Sequence, residues 1–201
     1  MSKRQVTSNE TGYFWQKKAV PTRAEGLERL SSFAVTGLKS YSDQRNYDYG
    51  PSDRSNISLL SPWVRHRLIS EQEIIEKLLN IHSHRDAEKY IQQVVWRTYF
   101  KGWLEQHPSV WDSYQKGIWS GLNEVSHDKN KTRLYEKAIT GQTGIDCFDS
   151  WTVDLMEHSY LHNHARLWFA SIWVFTLKLP WELGANFFMR HLLDGDPASN
   201  T

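Results

Sequence analysis

The chain has 201 residues, a size that normally forms one domain and buries about two thirds of the unfolded surface. Lys and Arg number 24 and Asp and Glu number 23, so the net charge of +1 excludes a strongly basic protein, and any nucleic-acid site would have to be a local patch. The single cysteine excludes a disulfide framework and a thiolate metal cluster, which favours a reducing, cytoplasmic location.

The N-terminal segment, residues 1–20, is polar, is predicted to be flexible, and has no apolar core of signal-peptide length. One helical domain is predicted over residues 21–201. Its first helix opens at Thr22 and Glu25, which have the spacing of a capping box. The apolar positions that follow have helical spacing and are Leu27, Leu30, Phe33, Ala34 and Leu38.

The next part of the chain alternates between loops and helices. Residues 42–56 are rich in Asp, Asn, Ser, Gly and Pro, a composition typical of loops. Ser61 followed by Pro62 predicts a helix with Ser61 as its N-cap and Pro62 as its first residue. Ser70 and Glu73 predict a second capping box. A long helix is predicted over residues 86–106.

The second half of the chain is predicted to contain only helices and breaks. A shorter helix begins at Pro108, residues 123–132 are predicted as a loop, residues 133–139 as a short helix, and 140–144 as a break. The remaining predicted helices span residues 146–158, 162–178 and 181–193. Because no stretch shows the alternation of strands and no heptad persists, the predicted fold is an all-α, irregular multi-helix domain.

Two compositional features bear on function. The apolar run over residues 167–177 is too short to span a bilayer, so no membrane partner is expected. Ten tryptophans are an unusually high number, and aromatic side chains both build cores and line pockets for flat ligands.

Three histidines and one cysteine are candidate reactive groups. His158 and His162 are four residues apart, with His164 nearby, which is a spacing that could hold a metal on one helix face. No carboxylate completes such a site, so capping or pocket-lining roles are favoured over metal binding. Cys147 shows no sign of an activated thiolate, and we expect it to be buried and inert.

Residues 55–63 contain three serines at a predicted helix start, where hydroxyls and free backbone N–H groups could bind an anion. Capping alone explains Ser61 equally well.

Five sequence blocks occur in a fixed order: "SLLSPW" (58–63), "VVWRTYF" (94–100), "TGIDCFD" (143–149), "YLHNHARLWFAS" (160–171) and "LPWELGANFFMRHLLDGDPASN" (179–200). Together they closely resemble the flavin-binding helical domain of the photolyase/cryptochrome family, over residues 21–201. The resemblance implies an all-α fold that holds FAD in a folded-back conformation. It also implies light-driven electron transfer from reduced flavin to a pyrimidine dimer in DNA, so UV-damaged DNA is an expected partner.

The resemblance implies two groups of cofactor-binding residues. Tyr41 and the turn formed by Ser58, Leu59, Leu60 and Ser61 would hold the FAD phosphates. Near the flavin ring, the implied residues are Arg97, Asn163, Arg166, Asp194, Asp196 and Asn200.

Each ring-side residue has an implied role. Arg166 would pair with Asp194, Asp196 would accept the N–H edge of the flavin ring, and Asn200 would lie beside its reactive nitrogen. Asn163 would contact flavin or substrate. Taken singly, the pair of Arg166 with Asp194 has a purely structural interpretation.

The implied catalytic residues are Gln93, Trp96, Asn163 and Trp181. Gln93 stands where dimer-repairing members carry Glu, and a neutral amide cannot be a charged partner for the dimer. Trp96 begins the WR pair on the substrate side, although taken alone it has the interpretation of a core residue. Trp181 matches the middle member of an electron relay, whose outermost member has Trp119 as a candidate.

The implied DNA contacts are Arg45, Arg97, Lys101 and His164. Arg45, Arg97 and Lys101 could form a local basic rim, although an ordinary solvated helix face is an equal alternative. His164 replaces an Arg of the family, Tyr160 replaces a Trp, and Ala138 stands at an aromatic position.

The family's N-terminal α/β antenna domain has no counterpart in the sequence, and the chain stops before a Trp-rich segment of the family. We therefore expect a flavoprotein of the DNA photorepair lineage that is incomplete at its C-terminal end. A cryptochrome-like flavoprotein that senses light or binds partners is the alternative. A helical interaction domain with a decayed flavin site is a third.

Overall fold

The computed structural model describes residues 19–200, which form helices and connecting loops without a strand. The prediction of an all-α, irregular helical domain is therefore confirmed. The helices are α1 (Arg23–Thr36), α2 (Leu38–Gln44), α3 (Ser61–Arg65), α4 (Glu71–Leu79), α5 (His84–Gln106), α6 (Pro108–His127), α7 (Lys129–Thr140), α8 (Asp146–His158), α9 (Asn163–Ser171), α10 (Trp181–His191) and α11 (Pro197–Asn200). The predicted N-terminal segment lies almost entirely outside the described residues.

Side-chain caps explain where several helices begin. The Thr22 hydroxyl accepts a hydrogen bond from the Glu25 backbone N–H at 3.3 Å, which caps α1. Ser70 and Glu73 form the predicted capping box of α4, because each side chain accepts from the backbone N–H of the other. Ser83 caps the long helix α5, which starts two residues before the predicted position.

Three predicted boundaries were wrong. Helix α2 continues to Gln44, so the loop begins at Arg45. Ser61 is the first residue of α3 and makes no side-chain cap, because Leu60 occupies the cap position. The loop predicted over 123–132 is helical except at Asp128, whose carboxylate accepts from two backbone N–H groups and begins α7 at once. Polar residues such as these are compatible with exposed helix faces, so polarity alone misplaced the loop.

The predicted break after α7 is confirmed, since Gly141 and Gly144 adopt positive φ angles of 67° and 85°. The helix predicted over 162–178 is instead α9 followed by one π-helical turn, Ile172–Thr176. Cys147 is exposed, which corrects the expectation that it is buried. The neighbouring Phe148 is on the buried face of α8, and successive helical residues point about 100° apart.

Two clusters of buried side chains form the core. The first joins α1 to α5 and includes the buried Trp63. The second joins α6 to α10 around Phe148, Phe169 and Trp173, whose rings contact one another. The short helix α11 packs back against α5, which brings the C-terminal segment beside the first cluster.

Within residues 19–200, the helices fall short of the length and apolarity that crossing a membrane requires.

Candidate functional site

A cavity of about 500 Å³ draws its walls from both halves of the chain. This volume is within the range of about 300–1,000 Å³ that small-molecule sites occupy. The residues that line it are Tyr41, Arg45, Asn46, Ile57, Ser58, Leu59, Leu60, Ser61, Val64, Ile74, Tyr90, Gln93, Val94, Arg97, Tyr160, His162, Asn163, His164, Arg166, Asp194 and Ser199.

One wall of the cavity is the loop segment that ends at α3. The buried Asn56 side chain anchors the loop by donating to the carbonyls of Gln44 and Tyr47, both at 2.8 Å. Leu59 has a φ of 54°, a left-handed conformation that costs a non-glycine residue about 1 kcal/mol or more. The Tyr90 hydroxyl donates to Ser58 Oγ at 2.8 Å and ties the loop to α5.

A second wall is one face of α5. Tyr90, Gln93, Val94 and Arg97 line the cavity because residues three and four apart share a helix face. Burial raises the pKa of the Tyr90 hydroxyl, so this group is a neutral donor over the ordinary pH range. Trp96 lies outside the cavity, half-exposed, with its ring stacked on Phe100 at 5.7 Å.

Asp196 is buried behind this wall, where it forms an ion pair with Arg97. Arg65 Nε lies 4.0 Å from the other carboxylate oxygen, which also accepts from the Ala198 backbone N–H at 3.0 Å. Two guanidinium groups and a backbone donor therefore hold Asp196 behind the cavity wall.

The predicted pair of Arg166 and Asp194 is bridged rather than direct, which corrects the expectation. Arg166 donates from Nη1 to Asn200 Oδ1 at 2.7 Å, and Asn200 donates from Nδ2 to Asp194 Oδ1 at 2.9 Å. Asn200 can bridge because its amide both accepts and donates. Arg166 Nε also donates to the Leu161 carbonyl at 2.8 Å. The arrangement fixes Arg166 at the cavity wall while Asn200 stays buried behind it.

Tyr160 lies between two guanidinium groups. Arg54 lies 4.5 Å and Arg166 lies 5.4 Å from the centre of its ring, distances typical of cation–π contacts. Burial raises the pKa of Tyr160 to about 12, against the opposing effect of the two Arg charges. The ring therefore forms a neutral, flat wall of the cavity.

The three histidines do not converge on one point. His162 Nδ1 accepts from the His164 backbone N–H at 3.2 Å and caps α9, while His158 lies 2.9 Å from Asp154. Burial lowers the pKa of His162. No group of histidine, cysteine and acidic side chains within residues 19–200 has the arrangement of a metal site.

The structure brings most of the predicted site residues together. Those that line the cavity are Tyr41, Arg45, Ser58, Leu59, Leu60, Ser61, Gln93, Arg97, Asn163, His164, Arg166 and Asp194. Asp196 and Asn200 are buried in the hydrogen-bonded layer behind it. In the described part of the chain, Trp96, Lys101 and Trp181 lie outside its lining, and Trp119 is 74% exposed on α6.

Several lining residues were not among the predicted site residues, and Tyr90 is one that the sequence could have shown. Tyr90 is three residues before Gln93 and seven before Arg97, so helical spacing could have identified it. His162 was expected to cap a helix or to line a pocket, and it does both.

The donors around the cavity indicate the chemistry of a ligand. Arg97 Nε and His164 Nδ1 are buried without a hydrogen-bond partner among the described residues, although buried polar groups are normally paired. Arg45 and Arg166 add positive charge, whereas Tyr41, Tyr90 and Tyr160 add aromatic surface. The residues present therefore fit a ligand that combines anionic phosphates with a flat ring.

Solved structures with the same fold exist. A class III photolyase from Agrobacterium tumefaciens superposes with a TM-score of 0.74 and 24% identity, covering 96% of this chain and 39% of that one. A cryptochrome from Synechocystis superposes with a TM-score of 0.71 and 23% identity, covering 89% of this chain and 37% of that one. These likenesses confirm the helical fold.

Curated relatives are similar over most of this chain. A deoxyribodipyrimidine photo-lyase from Alkalihalophilus pseudofirmus is 28% identical over 177 residues, which are 87% of this chain and 35% of the relative. The enzyme of the same name from a Synechococcus strain is 25% identical over 203 residues, which are 96% of this chain and 40% of the relative. The chain spans only about a third to two fifths of the length of these relatives.

A family model described as the FAD-binding domain of DNA photolyase matches residues 90–201, more than half of the chain. The matched region includes the α5 face, the Tyr160 and Arg166 wall and the buried layer around Asn200. The chain therefore belongs to the family of the FAD-binding domain of DNA photolyase.

Proposed function

We propose that this chain binds FAD in the cavity lined by the loop before α3, by α5 and by the start of α9, and acts in the light-driven repair of pyrimidine dimers in DNA. The observation that carries the proposal is the composition of the cavity, which combines hydroxyls and cations with aromatic walls and with buried, unpaired nitrogens on Arg97, His162 and His164. The family match and the names of the curated relatives support the choice of FAD and of DNA as substrate.

The phosphates of FAD would lie at the loop wall. Ser58 and Ser61 supply hydroxyl donors, and Arg45 and Arg166 supply positive charge to the same cavity. Tyr41 is also on this wall, and burial raises the pKa of its hydroxyl, so it is a neutral donor at pH 7.

The flavin ring would lie toward α5 and the buried layer behind it. Arg97 presents an unpaired Nε, and Asn163 lines the cavity at the start of α9. Asp196 and Asn200 would act behind these residues, since they hold Arg97 and Arg166 in place. Fixed charges and amides near a flavin ring tune its electronic properties.

Bound FAD would supply light-driven electron transfer to the dimer. The part of this chain is to place the dimer, for which Gln93 on the α5 wall offers an amide donor and acceptor. Arg45, Arg97 and His164 lie at the same cavity and would contact DNA phosphates, whereas Lys101 would act one turn further along α5.

A cryptochrome-like role is the second candidate, and Gln93 favours it. This neutral amide at the cavity wall is a weaker donor to developing negative charge on a dimer than a protonated carboxyl group would be. A net charge of +1 also provides little general attraction for DNA.

The first test is flavin binding by the purified 201-residue chain. Equal concentrations of FAD and of FMN are added separately, and retained flavin is measured after desalting by its absorbance at about 450 nm. We expect more FAD than FMN to be retained, because FAD would contact both the loop wall, through its phosphates, and the α5 wall, through its flavin ring. The proposal is contradicted if the protein retains neither flavin, or if it retains as much FMN as FAD.

A further inference from the structure

The loop before α3 carries an arginine that reaches another helix one hundred residues later. Arg54 Nη2 donates to Asp154 Oδ1 on α8 at 2.7 Å. Only 9% of the Arg54 side chain and 10% of the Asp154 side chain are exposed. A pair this buried is costly to break, because the remaining charge is left without its partner.

Asp154 is itself held from a second side. His158, one turn further along α8, places Nδ1 at 2.9 Å from the same oxygen that accepts from Arg54. The carboxylate is therefore fixed between the loop and its own helix. The acidic group that faces this cluster from the loop is Asp48.

Arg54 also reaches the cavity wall. Its guanidinium lies over the ring of Tyr160, and Arg166 lies over the same ring. Arg54 thus connects α8 and the aromatic wall to the loop segment that lines the cavity four residues later at Ser58.

This loop segment borders open space on two sides, although Leu59 packs against the first core cluster. Ile57, Ser58 and Leu59 line the candidate cofactor cavity on one side and a second cavity of about 490 Å³ on the other. A wall between two cavities is less closely packed than a core segment, so its side chains are less firmly fixed. Leu59 is in addition held in a left-handed conformation, which persists only where the surroundings impose it.

We propose that Arg54, held by Asp154 and His158 and stacked on Tyr160, is a positioning residue that fixes the Ile57–Leu59 wall for FAD. This inference rests on the proposed FAD site. It extends the site to Arg54 and to two residues of α8, Asp154 and His158, which do not line the cavity. A preformed wall spares the ligand the cost of ordering the loop, so losing the anchor weakens binding. Without Arg54, the wall keeps the Asn56 hydrogen bonds, the Tyr90–Ser58 contact and the packing of Leu59, but loses its side-chain link to α8.

The test compares Arg54→Met with the unchanged 201-residue protein in two measurements. Amide hydrogen exchange over residues 55–60 is measured without ligand, and the Kd for FAD is measured by fluorescence titration. We expect faster exchange confined to this loop and a Kd raised about tenfold or more, because the bound conformation is no longer preformed. Exchange over α10 should not change.

Three further variants separate positioning from general stability. Arg23→Met breaks an exposed ion pair with Glu73 and should leave both measurements unchanged. Ile139→Ala, beside the second core cluster, should lower the Tm without raising the Kd. Adding Asp154→Asn to Arg54→Met should weaken FAD binding little further, because the two groups act as one unit.

The inference is overturned if Arg54→Met lowers the Tm while loop exchange and Kd stay at their original values. It is also overturned if Arg54→Met and Ile139→Ala lower the Tm equally and Arg54→Met raises the Kd no more than Ile139→Ala does. If the unchanged protein binds no FAD, the proposed function fails, and loop exchange in Arg54→Met still decides whether Arg54 fixes the wall.

Discussion

At the residue scale, the bridge formed by Asn200 decides how the cavity wall is held. It receives a hydrogen bond from Arg166 and donates one to the buried Asp194. Because the two charged groups are linked through a neutral amide, the network is stable only when all three members are present.

We expect Asp194→Ala to lower the free energy of unfolding by about 1–3 kcal/mol, since buried hydrogen-bonding groups lose their partner. Urea denaturation measures this change, and FAD titration should show weaker binding because Arg166 is no longer fixed. Asp112→Ala, at an exposed position of α6, is the control and should have little effect. Equal stability of the two variants would show that the bridge is superficial.

His162 makes stability depend on pH. Burial lowers its pKa below the ordinary value of 6.5, and the nearby charges of His164 and Arg166 act in the same direction, whereas Asp48 opposes them. The unfolded chain therefore binds a proton at a pH where the folded protein does not. By linkage, stability is lost as the pH falls through 6.5 toward the folded pKa.

We expect His162→Asn, which retains a side-chain cap, to lose less stability than the unchanged protein when the pH falls from about 7.5 to 5.5. Thermal melting across this range measures the difference. His84→Gln, at an exposed position, should follow the unchanged protein. Parallel pH curves for His162→Asn and the unchanged protein would contradict the assignment.

Gln93 limits what the cavity can do to a dimer. If the proposed repair function holds, Gln93→Glu should increase the light-dependent loss of dimers from UV-irradiated oligothymidine. The gain should correspond to about 1–3 kcal/mol, the size of one charge-assisted hydrogen bond. Dimers are counted before and after illumination of the reduced protein, with Gln92→Glu on the same helix as the control. Equal rates for the two variants would favour the cryptochrome-like role.

At the element scale, one residue separates α6 from α7. Asp128 Oδ1 accepts from the Asn130 and Lys131 backbone N–H groups at 2.8 and 3.2 Å. Asp128→Ala should therefore lower the free energy of unfolding by about 1 kcal/mol, the typical contribution of an N-cap. Chemical denaturation tests this, with the exposed Lys129→Ala as its neighbour control. An unchanged midpoint in Asp128→Ala would contradict the capping role.

The helices were predictable where local signals were strong. The capping box at Ser70 and the positive-φ glycines at 141 and 144 are short-range features, and both were confirmed. The loop predicted over 123–132 failed because its polar residues lie on exposed helix faces, which composition does not distinguish from a loop.

At the scale of the whole molecule, the cavity depends on contacts between residues that are far apart in the chain. The resemblance predicted most lining residues, because four of the five blocks carry two or more of them, whereas residues 143–149 carry none. It did not predict the bridge through Asn200, since a side chain's partner depends on tertiary geometry and not on spacing. Arg54 and Asp154 are one hundred residues apart, and no local pattern marks such a pair.

Trp96 shows the limit of carrying a role over by position. It is adjacent to Arg97, yet successive helical residues point about 100° apart, so only Arg97 faces the cavity. Its catalytic role, and that of Trp181 outside the same lining, stay predictions.

The central claim is that the cavity lined by the loop before α3, by α5 and by the start of α9 is the FAD site. The most direct measurement is a crystal structure of the 201-residue chain grown with excess FAD. We predict ligand density between Ser58 and Arg166 at one end and Arg97 at the other, with His164 Nδ1 and Arg97 Nε in hydrogen-bond contact with the ligand or its waters. Density for FAD at another surface, with this cavity filled only by solvent, would contradict the account.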